Sequence, residues 1–355
     1  MALPKFAATR SFHTELRTRI NQYFEESGRQ TTGDFRIVVK AVILIGAVVA
    51  LYTHLVFFTP PTAWALLECV VLGCSIAGIG FNVMHDGAHG SFSNHPWLNK
   101  VASFTLNVMG GSSYMWNAKH NLIHHTYTNI EGHDDDIDIR PFMRMTAEQP
   151  RYRLHRFQHL YFWFLYCMLY ISWIFVMDYQ KYFKRQIGAA PLRPMDTSDH
   201  LVFWGFKALN LVLYVALPIY MVGFLPWLTG FVLSAAVAGF VLSIVFQLAH
   251  TVEETAFPVP HAVTNKLEDE WAIHQVRTTA NFATDNRLVS WLVGGLNFQI
   301  EHHLFPKISH VHYPAISKIV QQVCQEFDVK YTNYTRTRSA VVSHVAFLRQ
   351  MGQMA

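Results

Sequence analysis

Charge is what this sequence has least of. Of its 355 residues, 15% are Asp, Glu, Lys or Arg and 51% are hydrophobic, against about 25% charged residues in ordinary soluble domains. Its length would allow two soluble domains, but the charge deficit points to lipid as part of its surroundings. Cysteine is also scarce. Cys69, Cys74, Cys167 and Cys324 show no paired spacing, so neither a disulfide framework nor a thiolate zinc site is expected. No Gly/Ser-rich or Pro-rich linker divides the chain. The net charge of +4 comes from basic residues at the edges of apolar runs, which excludes a nucleic-acid stripe and suits a cytoplasmic membrane face. The first residues are polar and hold Arg10, Arg17, Arg19 and Arg29, which excludes a cleavable secretory signal. An amphipathic cytosolic helix is expected there.

Long apolar runs are what the chain does have. Ile37 to Phe58 is long enough to cross a hydrocarbon core of about 30 Å, with Lys40 placed to snorkel to the interface. Pro60 and Pro61 make a turn, and Ala63 to Met84 is apolar again apart from Glu68. Val101 to Gly111 is too short to span and is expected in the interface. Three further apolar segments follow: Tyr161 to Met177, Phe203 to Phe224, and Trp227 to Ala249. The first has Arg151, Arg153 and Arg156 before it and Lys181, Lys184 and Arg185 after it, so both its ends read as cytoplasmic and it is expected to be interfacial or re-entrant. The other two are joined by an uncharged turn. The expectation is an all-α integral membrane protein with four transmembrane helices in two hairpins, both termini cytoplasmic, and a cytoplasmic helical cap. Its divisions fall at 1–36 for the arm, 37–314 for the membrane domain and 315–355 for a C-terminal helix and tail. Within the tail, Ile316 to Phe327 has helical periodicity.

Histidines gather where these runs meet water. His85, Asp86 and His89 end the second run, and the i, i+4 spacing puts both imidazoles on one face. His120, His124 and His125 stand in WNAKHNLIHHTYTNIEGHDDDID, His250 ends the fourth crossing, and Gln299, His302 and His303 stand in LNFQIEHHLFP. The expected topology brings all these imidazoles to one side of one membrane. One metal does not need eight nitrogen donors, whereas two do. The set suits Fe, Cu or Zn better than Mg or Ca. Zinc has no redox chemistry, so a redox pair is expected, with iron the metal taken here.

Set on two hairpins, HDGAH, HNLIHH and QIEHH resemble the three histidine boxes of the integral-membrane fatty acid desaturases, over about Ile37 to Pro314. The resemblance implies a di-iron centre that activates O2 and introduces a cis double bond into the acyl chain of an acyl-CoA or a membrane lipid. It assigns His85 and His89 to the first box, His120, His124 and His125 to the second, and His302 and His303 to the third. His250 takes the place of an additional ligand. Gln299, where many relatives have histidine, is similar to the front-end branch, which desaturates between an existing double bond and the carboxyl end, and to some bacterial relatives with other regiochemistry, so it biases the regiochemistry without fixing it. It can ligate through its carbonyl oxygen or hydrogen-bond a bound water. Many front-end enzymes carry a fused cytochrome b5 domain with an HPGG haem motif. This sequence has no such motif, so a separate donor, cytochrome b5 or ferredoxin with its reductase, is expected.

Weaker expectations attach to other polar groups. Asp86 is a candidate to orient His85. Asp134, Asp135, Asp136 and Asp138 read as a solvated loop, with orientation of histidines the alternative. His133, His274, His310 and His312 read as ordinary surface or interface histidines, and Glu253 and Glu254 as solvated. Arg140, Arg144, Arg151 and Lys307 are placed to meet phosphates of coenzyme A or a lipid headgroup. Competing functions are a membrane di-iron hydroxylase or alkane monooxygenase, and a metal-binding transporter. The transporter would need polar residues along the crossings, where Glu68 and little else is seen.

Overall fold

In the computed structural model, which describes residues 3–9 and 11–354, helix dominates, and strand is confined to two short pairs, Gln186–Ile187 with Ala190–Pro191 and Asn281–Phe282 with Asn333–Tyr334. Among the described residues, five helices are long and apolar enough to cross a membrane: α2 (Phe35–Phe58), α3 (Thr62–His89), α6 (Arg153–Lys184), α7 (Thr197–Val222) and α8 (Phe224–His250). Asp34 caps α2 by accepting from the Arg36 N–H, and the Pro60–Pro61 turn starts α3. Between and after them lie α1 (Ser11–Ser27), α4 (Pro96–Val108), α5 (113–127), α9 (Trp271–Thr278), α10 (Arg287–Leu292), α11 (Gln299–Leu304), α12 (Tyr313–Glu326) and α13 (Thr337–Gln353). The expected arm helix, the short helix over Val101 and the C-terminal helix are all present as α1, α4 and α12. Arg10 of the arm lies outside the described residues.

Helix α8 is the central strut, packed along both α3 and α6. Its contact with α6 is close because Gly239 has no side chain: a Cβ there would stand 2.8 Å from the Cys167 carbonyl oxygen and 2.9 Å from that of Tyr166. Small residues at such crossings let backbones approach in lipid, where no hydrophobic drive pulls helices together. By length α6 is a fifth candidate span. Yet Gln158 at its start bonds the Arg144 and Leu348 carbonyls, and Lys181 near its end pairs with Asp135 at 2.8 Å. Both ends therefore meet the layer that carries the histidines.

Lys40 does not snorkel. It is 6% exposed, and its ammonium donates to Asn82 Oδ1 at 2.7 Å and to the Trp291 carbonyl at 2.9 Å. Lys207, inside α7, is also satisfied internally, by the carbonyls of Gly110 and Ile174 and by Asp178 at 3.0 Å. Between α2, α3, α6, α7 and α8 lies an apolar cavity of about 910 Å³, lined by residues that include Leu72, Ile76, Ile174, Tyr214 and Phe231. None of the eight candidate histidines lines it.

The other layer is a helical cap. Phe12 and Leu16 of α1 pack against Ala272 and Val276 of α9, Ile300 and Leu304 of α11, and Val320 and Val323 of α12. Arg144 is buried and donates to the carbonyls of Ala147, Gln149, Met351 and Met354, and Arg151 bonds the Gly352 carbonyl. Both arginines thus bond the end of α13, and the buried Arg144 is not presented to phosphates, whereas Arg151 is exposed; Arg140 pairs with Asp138 at 2.6 Å.

His344 of α13 stands between the Tyr166 hydroxyl at 2.8 Å and the Thr251 carbonyl at 2.7 Å. Burial pushes it, and likewise the buried His274, down to about 4. The sign follows directly. The unfolded chain takes up these protons near the ordinary 6.5, whereas the native fold resists until about pH 4. Stability is therefore full above pH 6.5 and falls as the pH drops toward 4, by on the order of 3 kcal/mol for each histidine. Thermal unfolding of the detergent-solubilised protein is expected at lower temperature at pH 5 than at pH 7.5, and His344→Gln should flatten part of that loss.

Candidate metal centre

Local winding, more than secondary-structure type, aims the imidazoles. Residues Gly80–Met84 and Ala118–His124 are π-helical, with i to i+5 hydrogen bonds. The first stretch sets the rotation at which His85 and His89 leave α3. In the second, the wider turn brings His120, His124 and His125 to one side. His250 ends α8, where Asn129 holds its carbonyl at 2.8 Å. His302 and His303 sit on the single short turn of α11, held in the cap by Glu301, whose carboxylate accepts from Asn281 and from the Tyr331 hydroxyl, each at 2.8 Å. Burial pushes Glu301 up to about 7.

All eight expected histidines converge, each less than 10% exposed. Their ring nitrogens form two groups. His85, His89, His120 and His302 make one, and His124, His250 and His303 the other, with one nitrogen from each residue lying within 4.8 Å of the rest of its group, and His120 and His124 also come as close to each other and to Asp136. Metal–nitrogen bonds of about 2.1 Å put two ligands of one ion at most about 4 Å apart, so each group would close by less than about 1 Å on a metal. His125 stands between the groups, its ring centroid 4.7 Å from His120, 4.8 Å from His89 and 4.3 Å from His303. Gln299 reaches the second group, its amide 2.9 Å from His250 Nε2, and its Oε1 is buried without a partner.

The donor set fits metal ions by a test internal to the structure. Nε2 of His89, His124, His302 and His303 and Nδ1 of His125 and His250 are buried and have no hydrogen-bond partner, an arrangement that is unfavourable unless something else fills those lone pairs. On several rings the opposite nitrogen is tied. His124 Nδ1 lies 3.0 Å from Asp134, His302 Nδ1 3.1 Å from the Tyr313 hydroxyl, and His303 Nδ1 2.8 Å from Gln275 Oε1. Such outer partners fix the tautomer and ring direction of a metal ligand. Burial, reinforced by neighbouring imidazoles, holds His120, His125, His302 and His303 well below the ordinary histidine range. They are therefore neutral and free to ligate at neutral pH. On His124 burial acts in the same sense, but Asp134 and Asp136 outweigh it and raise the pKa.

Several expectations change at this point. Asp134 is not solvated: it is 2% exposed and orients His124, while Asp136 salt-bridges Lys119 and lies 3.6 Å from His124. His133, His274, His310 and His312 are buried, not surface residues. His310 bonds Asp86 at 2.8 Å. Tyr313 and Gln275, which hold two of the histidines, had no signal in the sequence, because a lone Tyr or Gln outside a motif carries no spacing to read. Glu253 and Glu254 are exposed as expected.

Comparison with known proteins agrees with this chemistry. Residues 61–335 match the family described as fatty acid desaturase. The chain is 36% identical to the sn-1 linoleoyl-lipid 6-desaturase of Arthrospira platensis, over 98% of this chain and 94% of that protein. It is 37% identical to the protein of the same description in Synechocystis sp., over 98% of each. The acyl-lipid (8-3)-desaturase of Physcomitrium patens is 33% identical, over 98% of this chain and 72% of that one. Two matches of this extent, joined to buried histidine groups beside apolar helices, are sufficient: the chain belongs to the fatty acid desaturase family and is an oxidoreductase acting on fatty acyl chains.

Proposed function

We propose that this chain is a front-end acyl-lipid desaturase that uses O2 at a di-iron centre to place a cis double bond between an existing one and the carboxyl end. In this reading His85, His89, His120, His125 and His302 hold one iron, and His124, His250 and His303 the other, with Gln299 at the fourth position of the second. The observation that carries it is the pair of close histidine groups in which several buried ring nitrogens lack a partner, while the opposite nitrogens of His124, His302 and His303 are held by Asp134, Tyr313 and Gln275. The 6-desaturase names of two relatives support the front-end regiochemistry and a glycerolipid substrate.

When bound, the irons with O2 supply the oxidising power, so that an acyl CH2–CH2 unit, O2, two electrons and two protons become CH=CH and two waters. The chain's own residues set the conditions for that chemistry. Asp134, Tyr313 and Gln275 hold three rings in one orientation, and burial keeps water from the site and most of the imidazoles neutral. The substrate's hydrocarbon must pass the site at a fixed register, which requires a narrow apolar path from the headgroup. Electrons come from a separate donor, cytochrome b5 or ferredoxin with its reductase.

In the bilayer, α2, α3, α7 and α8 make four crossings and α6 re-enters the side it left, a reading supported by contacts of both its ends with the histidine-bearing cap. The termini and the site then face the cytoplasm, with 1–36, 37–314 and 315–355 as arm, membrane domain and tail.

Expression in a host that makes linoleoyl lipids tests the proposal, with iron and a working donor present. Gas chromatography with double-bond location should find a new cis double bond on the carboxyl side of the existing ones. A product heavier by one oxygen would make the enzyme a hydroxylase, and an unchanged profile would refute the proposal.

A further inference from the structure

A buried polar chain runs from the membrane helix α2 to the edge of the histidine cluster. The Lys40 ammonium, bonded to Asn82 and the Trp291 carbonyl, lies 3.3 Å from His310 Nε2. His310 Nδ1 lies 2.8 Å from Asp86 Oδ2, which also accepts from the Ser309 hydroxyl at 3.3 Å. Asp86 Oδ1, on the other side of the carboxylate, is 3.9 Å from His85 Nδ1. Lys40, Asp86 and His310 are 6%, 3% and 6% exposed.

Donor counting fixes the protons along this chain. A charged ammonium has three donors and no acceptor capacity, so His310 Nε2 must accept from it, and the remaining proton of a neutral His310 then sits on Nδ1 and is donated to Asp86. Lys40 and Asp86 thereby form one buried cation and one buried anion bridged by a neutral ring. Neither would be tolerated alone at this depth. The backbone is shaped to allow the arrangement. Gly294 has φ +62°, and a Cβ there would stand 2.4 Å from the Phe81 carbonyl oxygen; a Cβ on Gly295 would stand 2.7 Å from that of His310. Side-chain packing alone would not call for an ammonium inside an apolar helix when a leucine would fill the same space.

We propose that Lys40 and His310 are positioning residues for the first metal group: they lock the Asp86 carboxylate so that its free oxygen faces His85 Nδ1 and leaves His85 Nε2 for the metal. The pair acts from outside the histidine boxes, from helix α2 and from the turn that follows α11, so it ties the first membrane helix to the geometry of the site. This inference rests on the reading of His85 as a ligand. It predicts tighter metal retention, of the 10–100-fold size that outer partners of metal ligands typically bring.

The test uses full-length protein in detergent, loaded with ferrous iron and then challenged with a graded chelator, with iron per chain as the readout. Wild type should hold about two irons. Lys40→Met should release one of them at about 10–100-fold lower chelator concentration, whereas Lys40→Arg, which keeps the charge, should not. His310→Phe retains ring bulk but neither nitrogen and should lose the same iron. Because Lys40→Met strands the Asp86 charge, the double variant Lys40→Met/Asp86→Asn guards against simple misfolding. If Lys40 acts through Asp86, the double variant loses no more affinity than Asp86→Asn alone, whereas additive losses would overturn the proposal. Wild-type retention in both Lys40→Met and His310→Phe would also overturn it, provided that His85→Ala loses iron. If His85→Ala keeps both irons, the ligand reading itself fails.

Discussion

His303→Ala is expected to abolish desaturation while the protein still inserts into the membrane. His303 is fully buried, and its ring centroid is 4.9 Å from both His124 and His250. Its Nε2 has no hydrogen-bond partner. Alanine removes one of three nitrogens in the second group, and the two that remain cannot hold a hard-worked redox ion against water and chelators. The loss should exceed the ~10–100-fold that removal of an orienting partner produces. Insertion should survive, because the residue lies on the short α11 within the cap and contributes no part of the long apolar helices. Fatty-acid profiles of an expressing host, iron content and the amount of protein in the membrane fraction check this together. His125→Ala should behave alike. Full activity in either variant would remove that histidine from the ligand set.

Asp134→Ala should have the next largest effect, a fall of about 10–100-fold in metal affinity with desaturation falling in step. The carboxylate does three things at once. It stands 3.0 Å from His124 Nδ1, accepts from the Asn129 N–H at 2.9 Å, and accepts from the Asp136 N–H at 3.1 Å. Alanine frees the His124 ring to turn and leaves a buried N–H unpaired, which costs about 1–3 kcal/mol. Asp134→Asn keeps an acceptor for the backbone but not the charge beside the imidazole. Thermal stability should therefore recover in the asparagine variant while chelator resistance recovers only in part. Equal iron retention in wild type and the alanine variant would show that Asp134 merely shapes the loop.

Much of this was readable in advance because two kinds of signal are strictly periodic. Apolar runs long enough to span declare themselves, and histidines spaced four or five apart declare a shared helical face. The apolar runs and their expected topology bring His85, His89, His120, His124, His125, His250, His302 and His303 to one side, and the resemblance to the three histidine boxes implies them as ligands. The misreadings have a common physical origin. Lys40, His310 and Arg144 read from sequence as facing water or phosphate because an isolated polar residue is ordinarily solvated, and Asp134 as a solvated loop or, alternatively, an orienter of histidines. Asp134 is instead buried against the nearby His124, whereas Lys40, His310 and Arg144 are buried against partners far away in sequence, such as His310 for Lys40 at a separation of 270 residues or the Met351 carbonyl for Arg144. Partners at such distances carry no local pattern. Tyr313 and Gln275 escape notice because a lone Tyr or Gln outside a motif carries no spacing to read.

The arm helix α1 has its counterparts at the far end of the chain: the His13 N–H donates to Glu270, 257 residues later, and Arg19 pairs with Glu326. During synthesis the arm is made long before these partners and stays without them until the chain has been built through Glu326. His302 and His303, the last of the eight candidate ligands, arrive at that same late stage. In the proposed assignment neither metal group can close before that stage, because His302 belongs to the first and His303 to the second.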